Sequence, residues 1–362
     1  MGLNRLPSKT GKREIEIKTL LIDGNALLKV SYHGAKNEFN NNGEHIGGIY
    51  QFLTVLRKFL DEDNFDRVFV FWDGKFSGKL RYDFYPEYKA NRNKNYETGT
   101  IPQDKDLLRQ KNKIWNYLEQ LLVRQYQDQY VESDDLIAHY CLEKGLTEKI
   151  TIASGDRDYC QLVSDNISLY LLDLKKYVTS ANYNDFFQHK QENSALIKTI
   201  AGDTSDNIKG VKGVKEDTLL KHFPELKERK VTLNEIITHS KEILEERKSN
   251  KLKPLMALEN IVNGTTDGCQ GDKLYEINEK LVNLKKPLLT QYTKNIMEDL
   301  MNLPVNPEGR DIKIVYKRFK EDGLDRMISE ARFPTFMLPF KKIINKETDF
   351  YNKVMEDFDE NN

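Results

Sequence analysis

The sequence predicts an α/β protein, a mostly parallel central sheet flanked by helices, followed by a helical region. Two observations carry this. Three short apolar runs, 18–22, 67–72 and 149–153, end in the acidic turns Asp23-Gly24, Asp73-Gly74 and Ser154-Gly155-Asp156, and a helix-forming stretch follows each. From residue 194 onward the apolar spacing is almost entirely helical. Strands joined through helices lie parallel, and such sheets carry their sites at the carboxyl ends of the strands. Asp23, Asp73 and Asp156 are therefore expected on one rim.

Taken in order, residues 1–17 read as a flexible, polar and basic extension without the apolar core of a secretory signal. A strand at 18–22 leads into a helix from Ala26 and an Asn- and Gly-rich loop over 37–48. Ile49, Phe52, Leu53, Leu56, Phe59 and Leu60 have helical spacing. After the strand at 67–72, residues 74–100 have no clean period and are too long for an ordinary connection, which marks a functional or disordered loop. A long helix over 104–122 turns Leu107, Leu108, Ile114, Trp115, Leu118 and Leu121 inward. Ser133 is the expected N-cap of a helix over 134–144, and 167–172 is a fourth strand. Helices over 195–201 and 216–222 flank the turn Gly210-Val211-Lys212-Gly213-Val214, and 228–300 is mostly helical. A Pro-containing loop at 302–311, a short strand at 313–319, a short helix at 323–330 and a fraying acidic tail from Asp349 complete the reading. The expected units are a core over 18–193, a helical binding region over 194–300 and a C-terminal segment over 301–362.

The 56 Lys and Arg nearly balance the 57 Asp and Glu, so partners must be read from where the charges lie. Acids cluster at 131–135 and 154–158, whereas cations crowd 75–92 and 209–221. No apolar run approaches the length of a membrane span. Three cysteines, Cys141, Cys160 and Cys269, form no paired spacing and fit free thiols in a reducing, cytoplasmic compartment. A soluble monomer is expected.

The acids carry the chemistry. Asp23 and Asp73 end strands, Glu132, Asp134 and Asp135 open a helix, Asp156 and Asp158 follow a strand, and Asp203 and Asp206 are spaced to share one helix face. Singly, each has an ordinary explanation in a turn or in the helix dipole. Together, carboxylates this dense repel one another unless a cation sits among them. An all-oxygen set suits two Mg²⁺ or Mn²⁺ ions, the clamp used for phosphodiester cleavage. No His or Cys spacing suggests zinc. The stretch from Arg81 to Arg92 interleaves cations with aromatics, which hold phosphate and stack on unpaired bases. Lys89 and Arg92, three apart, can meet one phosphate. Gly210 and Gly213 let a backbone turn approach phosphates, with Lys209, Lys212, Lys215 and Lys221 around it.

In this order the motifs Leu-Ile-Asp23-Gly-Asn, Phe-Trp-Asp73-Gly, Tyr-Pro-Glu-Tyr-Lys89-Ala-Asn-Arg92, Glu132-Ser-Asp134-Asp135, Ser-Gly-Asp156-Arg-Asp158 and Gly-Asp203-Thr-Ser-Asp206-Asn-Ile-Lys-Gly-Val-Lys-Gly-Val resemble the 5′ nuclease (flap endonuclease) family, over about 18–223. The style is that of the bacteriophage enzymes and of the 5′-nuclease domain of bacterial DNA polymerase I. The resemblance implies a PIN-like fold with an arch over the site, at about 74–103. It implies one metal at Asp23, Asp73, Glu132 and Asp134 with Asp135 near, and a second at Asp156, Asp158 and Asp206 with Asp203 near. Lys89 and Arg92 match the arch-base cations that steer the scissile phosphate. Residues 194–223 match a helix–three-turn–helix that grips duplex DNA, with a K⁺ at the carbonyls of Val211 and Val214. Lys215 stands where the family's loop has its last glycine. DNA contacts are expected from Arg81, Lys89, Arg92, Lys209, Gly210, Val211, Lys212, Gly213, Val214 and Lys215, and catalytic roles from Lys89, Arg92, Asp134 and Asp156.

The implied activity is a Mg²⁺-dependent 5′→3′ exonuclease and flap endonuclease with RNase H-type primer removal in replication. Its substrates would be nicked or branched duplex with a 5′ flap and RNA–DNA hybrid, with a single-strand-binding or clamp protein as a further partner. No polymerase segment follows, so a stand-alone nuclease is expected. Two other readings compete. A catalytically silent binder of branched DNA gains nothing from nine repelling carboxylates, and a PIN-domain ribonuclease has no use for the 210–218 hairpin.

Overall fold

A computed structural model describes residues 17–35, 37–92, 105–266 and 273–360. The expected N-terminal extension up to residue 16, positions 93–103 of the expected arch, and Cys269 lie outside the described residues.

Six strands form the central sheet: β1 (Ile17–Asp23), β2 (Arg67–Asp73), β3 (Arg124–Asp128), β4 (Glu148–Ser154), β5 (Ile167–Leu171) and β6 (Lys176–Val178). Their order is β3-β2-β1-β4-β5-β6, parallel except for β6. The chain runs outward from β1 to β3 and then returns to the other side of β1. That reversal opens a crevice at the carboxyl ends of β1 and β4. Register sets what lines it. Ile22 pairs with Ala153, so Asp23 and Ser154 end side by side, and Asp73 pairs with Asp128 one strand further out.

The strands are apolar on both faces because both are covered. Leu20, Ile22, Val68, Val70 and Trp72 point into one core, with α1 (Gly24–Gly34), α2 (Gly47–Glu62) and, beyond the four-residue α3 (Lys79–Tyr82), α4 (Lys105–Gln120). Leu21, Phe69, Phe71, Ile150 and Ile152 point into the other, with α5 (Ser133–Lys144). A third core lies under α6 (Ser194–Ala201), α7 (Glu216–His222), α8 (Leu233–Ser249) and α9 (Met256–Asn263), closed by Leu274 and Tyr275 of α10 (Lys273–Val282). Next, α11 (Gln291–Asn302) sends Met297 and Met301 into the α5 core, whereas α12 (Ile312–Asp322) and α13 (Phe333–Glu360) close over α2 and α4. Among the described residues no helix is long and apolar enough to cross a membrane.

Several expectations need correction. Residues 313–319 are helical, not extended. Ile312, Val315, Tyr316 and Phe319 have helical spacing, Asp311 caps the start, and Gly323 at φ 78° ends α12. The expected helix at 323–330 is one 3₁₀ turn, Leu324–Arg326. The tail from Asp349 does not stand apart from structure but continues α13, whose Phe340 and Ile343 are anchored in the core. Leu108 is exposed rather than inward. Asp203 and Asp206 do not share a helix face: β7 (Gly202–Asp203) and β8 (Ile208–Lys209) form a small hairpin there. The N-cap of α5 is Glu132, and Ser133 is its first residue. β3 and β6 were not foreseen. The sequence of β3, Arg-Gln-Tyr-Gln-Asp, is polar because it lies at the sheet edge.

Candidate active site

Four carboxylates collect at the crevice. Asp23 ends β1 and caps α1, with Oδ1 accepting from the Ala26 amide at 2.9 Å and Oδ2 from Ser154 Oγ at 3.0 Å. Ser154 Oγ in turn accepts from the Asp156 amide at 3.1 Å, so one hydroxyl ties the end of β1 to that of β4. Asp73 accepts from the Ser133 amide at 2.9 Å and from Asn25 Nδ2 at 3.1 Å, which fixes it against the first turn of α5, where Asp134 stands. The strand ends put Asp23, Asp73 and Asp156 at this rim, and the first turn of α5 adds Asp134.

Electrostatics mark the group as under-compensated. Burial, then the charges of Asp73 and Asp156, push the Asp23 carboxyl up to about 7. Burial and the neighbouring Asp135 and Glu132 raise Asp134 well above the usual range, although Arg81 opposes them. Among the described residues no Lys, Arg or His nitrogen pairs with Asp23, Asp73, Asp134 or Asp156. Lys111 approaches the Asp73 backbone oxygen at 3.0 Å, and burial depresses its own ammonium to about 8. Hard oxygen donors short of positive charge are what a divalent cation requires, and on that ground the donor set fits one.

The other five predicted acids are matched by protein cations. Glu132 accepts from Arg81 Nη1 and Tyr88 Oη at 2.8 Å each and from Lys89 Nζ at 2.5 Å. Despite burial, Lys89 and Arg81 hold it down at about 2. Asp135, fully buried, takes both terminal nitrogens of Arg81 and the Leu288 amide. The one trio of described carboxylates whose oxygens all lie within 4.8 Å is Glu132, Asp134 and Asp135, but Arg81 already neutralises two of them. Asp135 is therefore a strut. Arg81, expected on DNA, is 4% exposed and donates also to the Leu281 carbonyl at 3.0 Å, so it has no face for a phosphate. Lys198, which the sequence reading missed, bridges Asp158 and Asp203. Asp206 pairs with Arg92 at 2.6 Å and lies 3.6 Å from Lys89 Nζ.

Residues 85–92, the base of the expected arch, and the β7–β8 hairpin form one body. The Lys89 amide donates to the Asp206 carbonyl at 2.9 Å, and Asn207 Nδ2 to the Glu87 carbonyl at 2.7 Å. Beneath them Tyr88 packs in a small core with Ile208, Leu281 and Val282. Lys89 adopts φ 53°, a left-handed backbone rarely taken by a lysine, and so reaches both Glu132 and Asp206.

The expected duplex-binding turn follows. Gly210 lies so close to the Ala201 carbonyl that a side chain there would collide with it, and Gly213 has φ 75°. Val211 and Val214 are buried, and the turn is held from behind by Asn260 Nδ2 on the Lys212 carbonyl at 2.9 Å and by the Lys212 amide on the Thr265 carbonyl at 2.8 Å. Lys212 and Lys215 are exposed, whereas Lys209 pairs with Glu87 at 2.9 Å. Tyr88, one of the aromatics of 81–92 expected to stack on bases, is instead 1% exposed and packed inward, and the sequence reading assigned no role to the uncharged side chains of Asn25 and Ser154.

Residues 18–191 match the family model described as 5′-3′ exonuclease, N-terminal resolvase-like domain. The chain is 30% identical to a 5′-3′ exonuclease of Mycoplasmopsis pulmonis, covering 58% of this chain and 68% of that one. It is 30% identical to the thermostable DNA polymerase I of Thermus thermophilus, covering 58% of this chain but only 24% of the polymerase, and so spans about a quarter of the length of such relatives. In fold it is similar to bacteriophage T5 5′-exonuclease with zinc bound, at a TM-score of 0.59 and 18% identity, covering 79% of this chain and 99% of that one. A bacteriophage T5 flap endonuclease in a pseudo-enzyme-product complex with DNA and metal ions gives a TM-score of 0.55 at 17% identity, covering 91% and 99%. The PIN-like fold is thereby shown, with its mostly parallel sheet.

Proposed function

The chain belongs to the 5′-3′ exonuclease family, and from that premise we propose that it is a structure-specific 5′ nuclease that hydrolyses phosphodiesters with two Mg²⁺ or Mn²⁺ ions during replication. The observation that carries this reading is the set of four carboxylates, Asp23, Asp73, Asp134 and Asp156, that form no salt bridge among the described residues.

Asp23, Asp73 and Asp134 would hold the first ion with Glu132 alongside. Asp156, Asp158, Asp203 and Asp206 would hold the second, once Lys198 and Arg92 yield some of their contacts. The ions supply a lowered water pKa and charge stabilisation at the departing oxygen. The chain supplies position. Lys89 and Arg92, one 3₁₀ turn apart, face a phosphate drawn towards the acids and offset its developing charge. Lys212 and Lys215 grip the duplex from the α6–α7 turn, with a K⁺ at its carbonyls. Duplex DNA with a 5′ flap and RNA–DNA hybrid are the substrates, and a clamp or single-strand-binding protein is a further partner in the cytoplasm.

A labelled 5′-flap duplex and a labelled RNA–DNA hybrid, each with Mg²⁺ or EDTA, test this. Cleavage is expected with Mg²⁺ only and should be lost in Asp134→Asn while duplex binding persists. Binding without cleavage by the unaltered protein would make it a branched-DNA binder, and cleavage of single-stranded RNA alone would make it a ribonuclease.

A further inference from the structure

Tyr159 is a group that the site as described does not use. It lies in the 3₁₀ turn Arg157–Leu162 that follows β4, is 1% exposed, and its ring belongs to the apolar core of Leu21, Phe71, Leu136 and Ile152. Among the described residues its hydroxyl is one of few buried polar atoms with no hydrogen-bond partner. After burial, the charges that act on it most are those of Asp23, Asp134, Asp156 and Asp73.

These facts conflict with a packing role. A phenylalanine would fill the same volume, and a buried hydroxyl that bonds nothing costs its desolvation without return. A direct bond to a carboxylate would repay it, yet none of the four acids accepts from it. The charges of four acids act on this donor, yet no protein group accepts its proton among the described residues.

We propose that the Tyr159 hydroxyl donates a hydrogen bond to the hydration shell of the first divalent cation, the one assigned to Asp23, Asp73 and Asp134. Mg²⁺ and Mn²⁺ keep several waters when carboxylates bind them, and partners in that outer layer orient the shell and tune affinity. Tyr159 is thus a positioning residue for the ion, and the inference rests on the metal reading above.

The test compares the unaltered protein, Tyr159→Phe and Asp134→Asn. Thermal unfolding is followed in EDTA and in MnCl₂, and Mn²⁺ binding is measured by calorimetry. In EDTA, Tyr159→Phe should unfold at the same temperature as the unaltered protein or higher, because no bond is lost. In MnCl₂ its gain in unfolding temperature should be smaller, with Mn²⁺ affinity weakened about fivefold, the worth of one hydrogen bond. Equal Mn²⁺ affinities for the unaltered protein and Tyr159→Phe would overturn the proposal alone. A lower unfolding temperature for Tyr159→Phe in EDTA would do the same, since it would reveal a structural partner. If the unaltered protein binds Mn²⁺ no better than Asp134→Asn, the metal reading itself fails and takes this proposal with it.

Discussion

Glu132 and Asp134 stand two positions apart, yet their surroundings drive their proton affinities in opposite directions. Burial raises both. At Glu132 the ammonium of Lys89 and the guanidinium of Arg81 win, and the carboxyl falls to about 2. At Asp134 the adjacent acids add to burial, and the carboxyl rises well above its usual range. This contrast decides what Lys89 does. Its ammonium neutralises Glu132 in the free protein and lies beside Asp206, so it can move its charge onto a phosphate arriving between the two. Lys89→Ala should therefore slow single-turnover cleavage by about 10²–10³, the cost of removing one donor from a transition state. Its DNA affinity, measured in EDTA, should change by about twofold to threefold. A parallel drop in both would make Lys89 an affinity contact only. At this scale the sequence exposed all nine acids but not their division. Whether Arg81 reaches DNA or is consumed by Glu132 and Asp135 depends on the Leu281 carbonyl, two hundred positions away. No local pattern reports that distance.

Elements differ in how much of their reason lies within them. The strands at 67–73 and 148–154 are recognisable because each has an apolar run that leads into an acidic turn, at Asp73 and at Asp156, and that turn also places the site. β3 is polar and gains its structure from pairing with β2, so its own residues hardly announce it. Residues 312–322 misled for another reason: Ile314, Val315 and Tyr316 favour strands, but the packing of Val315 and Phe319 against α4 settles on helix. The α6–α7 turn was legible because glycines were needed twice, once for close approach and once for positive φ. Its backing by Asn260 and Thr265 holds Lys212 and Lys215 outward as a pair. If those two lysines contact separate phosphates, changing both to alanine removes two counterion-releasing contacts. The slope of log affinity against log salt for duplex DNA should then become shallower by about 1.8. Cleavage at saturating enzyme should change little. An unaltered slope in fluorescence-anisotropy titrations over a salt series would move the duplex grip elsewhere.

Across the whole molecule, the C-terminal segment is part of the nuclease core rather than an appendage. Phe333, Met337, Phe340 and Ile343 of α13 complete the core that α1, α2 and α4 form on one face of the sheet. The helix is also fastened by an ion pair: Arg124, at the start of β3, meets Glu347 through two bonds of 2.8 and 2.7 Å, with both side chains at most 2% exposed. Arg124 starts β3 at the register of Phe69, whereas Asp128 at the other end pairs with Asp73, so this fastening lies on the rim away from the acids. Stability and catalysis should accordingly separate. Glu347→Gln leaves a buried guanidinium without its counter-charge and should cost about 3–5 kcal/mol, read as a lower urea midpoint with an unchanged slope. The fraction that remains folded should cleave at the normal rate. Replacing the pair by Arg124→Met with Glu347→Leu should recover only part of the loss. Arg124 also donates to the carbonyls of Leu300 and Leu303 at 2.7 and 2.6 Å, and these would be left without that donor in a partly buried setting. Full recovery would show that those two carbonyls find other partners. A fall in the turnover of folded Glu347→Gln would mean instead that the far rim is coupled to the metal crevice, and that the C-terminal helix shapes the site as well as the core.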